Sequence, residues 1–291
     1  MVRTLSSQKD SYDVISSNRS DTNLFEFEET KKLIEKCQPD ALIIAAARVG
    51  GIVANNTKRT EFILENLKIN MNLLESCIPY PNIKIINLGS SCIYPLEALN
   101  PIIEDSFMTG KLEPTNSPYA MAKIASIEIG RSISGQYGHN VINLMPTNLY
   151  GPNDFYSKTD SHVIPGLIYR MHNAKIKREN AFYIWGTGSP LREFLYVDDL
   201  ALAIKFILDN KISQDLLNIG SGQEISIKDL AIKIKKIIGY EGSLDFDSTK
   251  PDGNPRKLLD SSAINNLGWE SSISLDEGLE KSYEWFLNNK I

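Results

Sequence analysis

Residues Ile83–Cys92 read IKIINLGSSC, an apolar run that ends in a glycine, two serines and a cysteine. A short, nearly unbroken apolar run is typical of a strand that is buried on both faces of a parallel sheet. Ligands of open α/β sheets bind beyond the carboxyl ends of such strands. The stretch therefore predicts a buried strand, followed directly by a site made of small polar side chains.

Apolar runs alternate with amphipathic segments on both sides of this strand, and the alternation predicts an α/β fold with a parallel sheet and helices on both of its faces. ALIIAAA is a second buried strand of this kind. The predicted strands are Tyr12–Ser16, Ala41–Ala47, Ile83–Leu88, Val141–Met145, Phe182–Trp185 and Glu193–Val197. The predicted helices are Glu28–Cys37, Thr60–Cys77, Tyr119–Tyr137, Val163–Ala174, Leu200–Leu208 (capped by Asp198 or Asp199), Ile225–Ile238 (capped by Ser226) and Leu275–Leu287.

The composition narrows the class of protein. The 291 residues suit one large α/β domain or two smaller ones, and the net charge of −5 argues against a nucleic-acid binder. No run approaches the roughly 18 apolar residues of a membrane span, and the polar N-terminus lacks the apolar segment of a signal peptide. The three cysteines are widely spaced and odd in number, so we expect reduced thiols, no metal site and a cytoplasmic protein.

A tyrosine and a lysine lie one turn apart on the helix that follows, as Tyr119-Ala-Met-Ala-Lys123. Residues i and i+4 are neighbours on a helix, so the ammonium would favour the phenolate and lower the phenol pKa from about 10. Tyr119 could then give a proton to a carbonyl that receives a hydride. The alternative is an ordinary surface pair. Tyr80 and Lys84 repeat the spacing, but Pro81 leads into a strand and excludes a shared helical face.

The Gly89–Cys92 segment contains side chains that could act on the same carbonyl group. The Ser90 hydroxyl can hydrogen-bond the carbonyl oxygen, and a Cys92 thiolate can remove a proton from the neighbouring carbon. A serine turn with a buried cysteine is the alternative interpretation. His162 lies in SHVIP, near a helix start, and the ordinary histidine pKa near 6.5 suits a general acid. A single histidine is nevertheless more often structural.

Basic residues suggest two anion sites. Ser17-Asn18-Arg19-Ser20 follows the first predicted strand, where an acidic residue would bind the ribose of NAD. Arg19 stands there instead, which favours a 2′-phosphate and hence NADP. Arg192, Arg256 and Lys257 are candidates for a diphosphate, and arginine suits this role because a guanidinium can donate two parallel hydrogen bonds to phosphate oxygens. Each of these residues could equally be a solvated surface charge.

Seven ordered segments together resemble the GDP-L-fucose synthases, which belong to the extended short-chain dehydrogenases/reductases. The resemblance covers nearly the whole chain. The segments are AAARVGGIVANN (Ala45–Asn56), LGSSCIYP (Leu88–Pro95), EPTNSPYAMAK (Glu113–Lys123), MPTNLYGPND (Met145–Asp154), SHVIP (Ser161–Pro165), LREFLYVDD (Leu191–Asp199) and KPDGNPRKLLD (Lys250–Asp260).

The resemblance implies an NADP(H)-dependent homodimer that epimerises GDP-4-keto-6-deoxy-D-mannose at C3 and C5 and then reduces its C4 ketone. It implies a Rossmann-type domain over residues 1–150, to which 191–220 returns, and a smaller α+β domain over 151–291 that mainly binds the GDP-sugar. Ser90, Tyr119 and Lys123 would be the reductase triad, Cys92 the epimerisation base and His162 its acid. The implied cofactor-binding residues are Arg19, Leu88, Gly89, Ser91, Lys123, Pro146, Thr147, Asn148, Leu149 and His162, and the implied substrate-binding residues are Arg170, Trp185, Arg192 and Lys250.

The chain departs from the family at its start. The family begins with a strand and a G-x-x-G-x-x-G loop, whereas Met1–Leu5 of this chain aligns inside the helix that follows those glycines. We therefore expect the sheet to lack its first strand, cofactor affinity to be poor, and the natural protein to start upstream. An intact mass of 32.6 kDa for the natively expressed protein would contradict an upstream start. The protein would then be interpreted as a short, inactive relative of the family.

Two other functions fit the same fold. One is another nucleotide-sugar epimerase or dehydratase, although a 4-epimerase that works only by hydride transfer does not need both Cys92 and His162. The other is a non-catalytic nucleotide-sugar binder or regulatory subunit. NADPH binding no tighter than about 1 mM, measured by calorimetry, would favour the binder.

Overall fold

The structure, a computed structural model, describes residues 1–7, 11–157, 161–250 and 252–289, apart from the side chains of residues 52 and 53. The chain forms two compact units. Unit 1 comprises Met1–Glu97, Glu104–Pro146 and Leu200–Ile219. Unit 2 comprises Ala98–Ile103, Thr147–Asp199 and Gly220–Ile291. The assignment of NADP to residues 1–150 and of the GDP-sugar to residues 151–291 stays a prediction.

The described residues form ten α-helices and ten strands. The helices are α1 (Val2–Ser6), α2 (Phe27–Cys37), α3 (Ile52–Thr57), α4 (Arg59–Cys77), α5 (Ser117–Tyr137), α6 (Val163–Ile176), α7 (Val197–Asp209), α8 (Ile227–Ile238), α9 (Ser262–Leu267) and α10 (Leu275–Asn289). The strands are β1 (Ala41–Ile44), β2 (Lys84–Leu88), β3 (Val141–Pro146), β4 (Asn148–Tyr150), β5 (Ala181–Trp185), β6 (Leu191–Tyr196), β7 (Leu216–Ile219), β8 (Glu224–Ser226), β9 (Ser243–Asp247) and β10 (Arg256–Lys257).

Unit 1 is built on a parallel sheet with the strand order β1-β2-β3-β7. Its register pairs Ile44 with Asn87 and Ile85 with Val141. The side chains of β3 and β7 are buried throughout, as their apolar sequences require. The predicted α/β fold with a Rossmann-like parallel sheet is confirmed.

The predicted strand Tyr12–Ser16 is wrong, because these residues form no strand in the structure. A strand needs a neighbour for its backbone groups, and the Tyr12 hydroxyl instead donates to the Asp209 carboxylate at the end of α7. The strand predicted over Ala41–Ala47 ends earlier, at Ile44. The chain leaves the sheet there because the Asn66 side chain of α4 binds both the N–H and the carbonyl of Arg48, each at 3.0 Å.

Buried polar side chains fix helix α5 to the sheet of unit 1. The Asn87 amide of β2 donates to Ser126 Oγ of α5 at 2.9 Å and to Asn143 Oδ1 of β3 at 2.8 Å. Gly130 allows the helix to approach β3 closely, because a Cβ at this position would lie 2.8 Å from Val141 Cγ1. These contacts set the position of the helix whose first turns carry Tyr119 and Lys123.

Unit 2 is organised around β6. This strand pairs with β4 and β10 in parallel and with β8 in antiparallel, while β5 and β9 form a separate parallel pair. Glu193 on β6 is fully buried, and its carboxylate accepts hydrogen bonds from Gly222 N at 2.8 Å and Leu259 N at 3.0 Å. The carboxylate thus connects β6 to the segments that follow β7 and β10.

The predicted helices are present, with ends that differ by a few residues. The capping role predicted for Asp198 or Asp199 is wrong, because α7 begins at Val197 and places both aspartates inside its first turn. Asp199 instead accepts hydrogen bonds from the backbone of Ser272 and Ile273 at 3.1 and 3.0 Å. Ser226 does cap α8, since its hydroxyl accepts the N–H of Asp229 at 3.0 Å. None of the helices in the described residues is long and apolar enough to span a membrane.

Candidate active site

The chain turns sharply where β2 ends. Gly89 N donates to the Leu144 carbonyl of β3 at 2.8 Å, and a Cβ on Gly89 would lie 2.1 Å from Met145 Cε. A side chain at this position would force the flexible end of Met145 to move. A single 3₁₀ turn, Ser91–Ile93, follows, and Ser90 Oγ accepts the Cys92 N–H at 3.2 Å. The turn therefore places Ser90 and Cys92 together at the carboxyl end of the strand.

Helix α5 brings Tyr119 and Lys123 to the same strand end. Lys123 Nζ donates to the Leu88 carbonyl at 2.7 Å and lies 5.9 Å from the centroid of the Tyr119 ring. The Tyr119 hydroxyl hydrogen-bonds the Ser90 side chain and lies within the electrostatic influence of Cys92. Within unit 1 the structure thus brings together four of the five predicted catalytic side chains: Ser90, Cys92, Tyr119 and Lys123.

The environment of Tyr119 differs from the sequence prediction. Burial raises the pKa of Tyr119 well above its ordinary value, the Cys92 charge raises it further, and the hydrogen bond from Ser90 opposes both. The predicted lowering of the Tyr119 pKa by Lys123 is wrong for this structure, because the ammonium lies over the ring and binds the Leu88 carbonyl. Tyr119 therefore keeps its proton at neutral pH, which is the form that a proton donor needs.

Lys123 is a buried cation. Its side chain is 2% exposed, and burial lowers the pKa of Lys123 to about 8. Among the described residues we find no carboxylate that forms an ion pair with Lys123. A charge that is buried without a counter-charge costs folding free energy. The site therefore retains Lys123 at the expense of stability.

Replacing Lys123 with methionine is expected to increase the free energy of unfolding at pH 7 by about 2 kcal/mol. The buried charge is removed, and the lost hydrogen bond to Leu88 offsets part of the gain. Between pH 8 and the ordinary lysine value near 10.5 the unfolded wild type binds more protons than the folded one, so its stability rises with pH. The gain in the variant should therefore disappear near pH 10, as urea unfolding at both pH values would measure.

Lys68→Met is the matched control, because Lys68 is exposed on α4. It should change the free energy of unfolding by no more than about 0.5 kcal/mol at either pH. Equal destabilisation by Lys123→Met at pH 7 and pH 10 would contradict the account of a buried charge.

The donors at this strand end fit the nicotinamide riboside portion of NADP(H). The Lys123 ammonium has three hydrogens, of which the Leu88 carbonyl accepts one, so hydrogens remain for ribose hydroxyls. The protonated Tyr119 and the Ser90 hydroxyl can both donate to a carbonyl oxygen placed beside them. Bound there, NADPH would supply a hydride to that carbonyl carbon.

Unit 2 holds the two arginines that were predicted to bind substrate. The Arg170 guanidinium lies 5.3 Å from the Trp185 ring and 5.6 Å from the Phe182 ring, and its Nε donates to Gly166 O at 3.2 Å. Burial lowers the pKa of Arg170. In the part of unit 2 that the structure describes, we find no ion pair for Arg170 or Arg192. Arg170 can therefore present its terminal amines to an anion beside an aromatic face.

Arg192 on β6 lies next to Asp252. Its Nη2 approaches the Asp252 carbonyl at 3.4 Å, and its Nη1 donates to Leu191 O at 2.8 Å. The Asp252 carboxylate accepts the N–H of Thr187 at 2.7 Å and its hydroxyl at 2.9 Å. Burial lowers the pKa of Arg192, and the Asp252 charge partly restores it.

The remaining predicted site residues His162, Lys250 and Arg19 are exposed. His162 is exposed at the N-terminal end of α6, where its charge counters the burial that raises the pKa of Asp154. Lys250 is exposed in the turn after β9. Arg19 is exposed, pairs with Glu65 at 3.9 Å and lies over the Phe25 ring. Its role in binding a 2′-phosphate stays a prediction.

The other cofactor-binding candidates lie in the 3₁₀ turn after β2 and in the stretch from the end of β3 into β4. The Thr147 hydroxyl and the Asn148 amide both donate to the Glu193 carbonyl, at 3.2 and 2.8 Å. Ser91 is buried in the 3₁₀ turn, Pro146 ends β3, and Leu149 lies in β4. Their contacts with a cofactor stay predictions.

Comparison with known proteins decides the family. Residues 1–220 match the NAD dependent epimerase/dehydratase family. The chain belongs to this family. It is 50% identical over 252 residues to GDP-L-fucose synthase 1 of Arabidopsis thaliana, covering 87% of this chain and 78% of that protein. It is 46% identical over 289 residues to GDP-L-fucose synthase of Sinorhizobium fredii, covering 99% of this chain and 91% of that protein.

A solved structure agrees with this assignment. The GDP-L-fucose synthetase of Naegleria fowleri bound to NADP superposes with a TM-score of 0.89 at 26% identity, covering 99% of this chain and 90% of that chain. The resemblance to GDP-L-fucose synthases in the sequence, and the expectation of an enzyme that is an NADP-dependent oxidoreductase and epimerase, are confirmed.

The sequence did not indicate two residues that contact the predicted site residues, Asp252 beside Arg192 and Asn116 beside Cys92. Asp252 was missed because an aspartate in a stretch of sequence with Gly and Pro is common. Asn116 was missed because its partner Cys92 lies far away in the sequence. In the structure the Asn116 side chain forms no capping hydrogen bond, and its Nδ2 donates to Cys92 Sγ at 3.5 Å. The signal available in the sequence was the position of Asn116 three residues before Tyr119.

Proposed function

We propose that the chain catalyses the NADPH-dependent 3,5-epimerisation and 4-reduction of GDP-4-keto-6-deoxy-D-mannose to GDP-L-fucose. The grouping of the Cys92 thiol with Ser90, Tyr119 and Lys123 at one strand end carries this proposal. A reductase that acts on C4 alone needs the last three side chains, whereas a thiol beside the carbonyl adds a base that can act at its neighbouring carbons. The two relatives described above are both named GDP-L-fucose synthases.

The epimerisation follows from the acidity of the carbons that flank a ketone. The Cys92 thiolate takes the hydrogen of C3 or C5 as a proton, and the C–H electron pair moves into an enolate. Ser90 and Tyr119 donate hydrogen bonds to the enolate oxygen and stabilise its charge. Reprotonation from the opposite face inverts the centre, and we propose His162 as the acid.

The reduction uses the same oxygen contacts. Once both centres are inverted, Tyr119 gives its proton to the C4 oxygen as that carbon receives the hydride, and Ser90 keeps the oxygen in place. Lys123 holds ribose hydroxyls through the hydrogens that the Leu88 carbonyl leaves available. The pKa of Tyr119, raised by burial, keeps this proton donor loaded throughout the neutral pH range.

Unit 2 supplies groups that suit a nucleoside diphosphate. Trp185 offers an aromatic face beside the Arg170 guanidinium, and Arg192 is a second partly buried guanidinium. Planar guanidiniums bind phosphate oxygens with two parallel hydrogen bonds. We propose that Arg170, Trp185, Arg192 and Lys250 bind the GDP portion of the substrate. The homodimeric state and the cytoplasmic location stay predictions.

The test mixes the 291-residue protein with NADPH and GDP-4-keto-6-deoxy-D-mannose and follows the absorbance of the reduced nicotinamide. We expect oxidation of NADPH, with a product whose NMR coupling constants are those of an L-fucosyl nucleotide. Oxidation that yields a sugar with C3 and C5 unchanged would show a simple C4 reductase and contradict the proposal. If NADPH is not oxidised and neither C3 nor C5 is inverted, the proposal is also contradicted for this chain.

A further inference from the structure

Asn116 occupies the position of a helix cap and does not cap the helix. It directly precedes α5, where the oxygen of an asparagine side chain normally accepts a backbone N–H of the first turn. No such hydrogen bond forms here. Its Nδ2 instead donates to Cys92 Sγ at a distance of 3.5 Å. The side chain therefore hydrogen-bonds the Cys92 sulfur and does not cap the helix.

The turn before α5 fixes Asn116 in this orientation. The Glu113 carboxylate accepts the N–H of Asn116 at 3.1 Å, the N–H of Thr115 at 3.0 Å and the Thr115 hydroxyl at 2.6 Å. The backbone of Asn116 is thus held by a carboxylate three residues earlier. The amide reaches the sulfur from a turn that is already organised, so little additional entropy is lost when the contact forms.

The other end of the Asn116 amide has no partner among the described residues. Its Oδ1 is buried and forms no hydrogen bond. A buried acceptor without a partner costs free energy, and a side chain with only a structural role would turn to satisfy it. Such unsatisfied groups in a native structure call for an explanation, and the contact of Nδ2 with Cys92 supplies one here.

We propose that Asn116 is a catalytic residue of the epimerisation, whose amide donates a hydrogen bond to Cys92 Sγ and stabilises the thiolate. This inference rests on the proposed function, in which the thiolate removes a proton. An ordinary thiol is only a few per cent thiolate at pH 7, and a hydrogen bond to the charged form favours that form. Asn116 thereby increases the fraction of protein that is ready to react.

The step itself is a proton transfer that needs no other reactant. The C–H bond at C3 or C5 breaks, an S–H bond forms at Cys92, and the electron pair moves through the carbonyl carbon to the C4 oxygen. Asn116 contributes to this step only. The reduction depends on Ser90, Tyr119 and Lys123, so its rate should be insensitive to the amide.

The first experiment measures the thiolate without any substrate. The full-length wild type, Asn116→Leu and the isosteric Asn116→Asp are treated with iodoacetamide across pH 5 to 10, and peptide mass spectrometry follows each cysteine. We expect the midpoint of the Cys92 profile to move to higher pH by about one unit in Asn116→Leu, and further in Asn116→Asp, whose carboxylate repels the thiolate. Tyr119 and Lys123, the titratable side chains of the site beside Cys92, are unchanged in every variant, so the difference isolates the amide.

The chain contains its own controls. Cys37 is partly exposed and provides a reference rate, whereas Cys77 is fully buried and reacts only if the protein opens. Thr115→Val is the matched control variant, because it removes one hydrogen bond from the same turn and leaves the sulfur contact in place. Its Cys92 profile should match that of the wild type. If Cys77 reacts in one of the Asn116 variants, that variant is unfolded. The Cys92 profile of the other Asn116 variant then tests the inference.

The second experiment separates the two half-reactions. Without reduced cofactor, deuterium exchange at C3 and C5 in D₂O should slow by about 10- to 30-fold in Asn116→Leu. NADPH oxidation with the already epimerised ketone should stay within about twofold of the wild type. An unchanged Cys92 profile in a folded variant would overturn the inference, whether or not exchange slows. Failure of the wild type to exchange C3 and C5 would instead refute the proposed function, and the alkylation profile would still test Asn116.

Discussion

Replacing Tyr119 with phenylalanine is expected to lower kcat for the reduction of the epimerised ketone by about 10³-fold. The aromatic ring keeps its edge-to-face contact with Phe62, whose centroid lies 6.3 Å away. The hydroxyl that Ser90 hydrogen-bonds is lost, and with it the proton for the C4 oxygen. Single-turnover oxidation of NADPH measures the effect, because it isolates the reduction from substrate binding and product release.

The stability of Tyr119→Phe should change little, by about 1 kcal/mol, since one buried hydrogen bond is removed without a change in volume. Tyr137→Phe is the matched control, because it makes the same chemical change on the same helix at an exposed position. It should leave the rate within about twofold of the wild type. A loss of less than tenfold in Tyr119→Phe would show that another group donates the proton.

The wild-type pH profile provides a second check on Tyr119. Burial raises the pKa of Tyr119 above its ordinary value of 10, so loss of this proton cannot slow the reduction between pH 6 and 9. Burial lowers the pKa of Lys123 to about 8, so the ammonium of the protein without cofactor is lost first as pH rises. We therefore expect kcat/KM of the wild type to decline as the pH rises through about 8. This decline should be absent in Lys123→Met, whose rate should be low at every pH.

Much of the fold could be predicted because burial leaves a clear trace in the sequence. The strands β2 and β3 are enclosed on both faces and read as apolar runs, so their positions follow directly. The segment Tyr12–Ser16 shows the limit of this argument. Its residues favour a strand, but a strand forms only when a neighbour pairs with it, and a local pattern contains no information about the neighbour.

The site shows the same division between local and tertiary information. Tyr119 and Lys123 could be placed together from their spacing, and Tyr80 with Lys84 could be rejected because Lys84 belongs to a strand. The sign of the Tyr119 pKa shift could not be predicted, since it depends on burial and on where the Lys123 ammonium lies. The contact of the Asn116 amide with the Cys92 sulfur could not be predicted, because it joins residues that are distant in the sequence.

Replacing Cys92 with serine is expected to slow deuterium exchange at C3 and C5 by at least about 10³-fold. The two side chains have almost the same volume, but a serine hydroxyl forms too little alkoxide at neutral pH to remove a carbon-bound proton, whereas a thiolate is accessible. Exchange in D₂O without reduced cofactor measures this step alone. Cys37→Ser is the matched control, since it makes the same replacement at a partly exposed position on α2.

The same variant should reduce the already epimerised ketone at close to the wild-type rate. Ser90, Tyr119 and Lys123 remain in place, and the Cys92 charge is one of the causes that raise the pKa of Tyr119. Removing this charge therefore makes Tyr119 a slightly stronger acid, which does not impair proton donation to the C4 oxygen. Equal loss of exchange and reduction would mean that the thiol contributes to both steps, and the division of labour between Cys92 and Tyr119 would have to be abandoned.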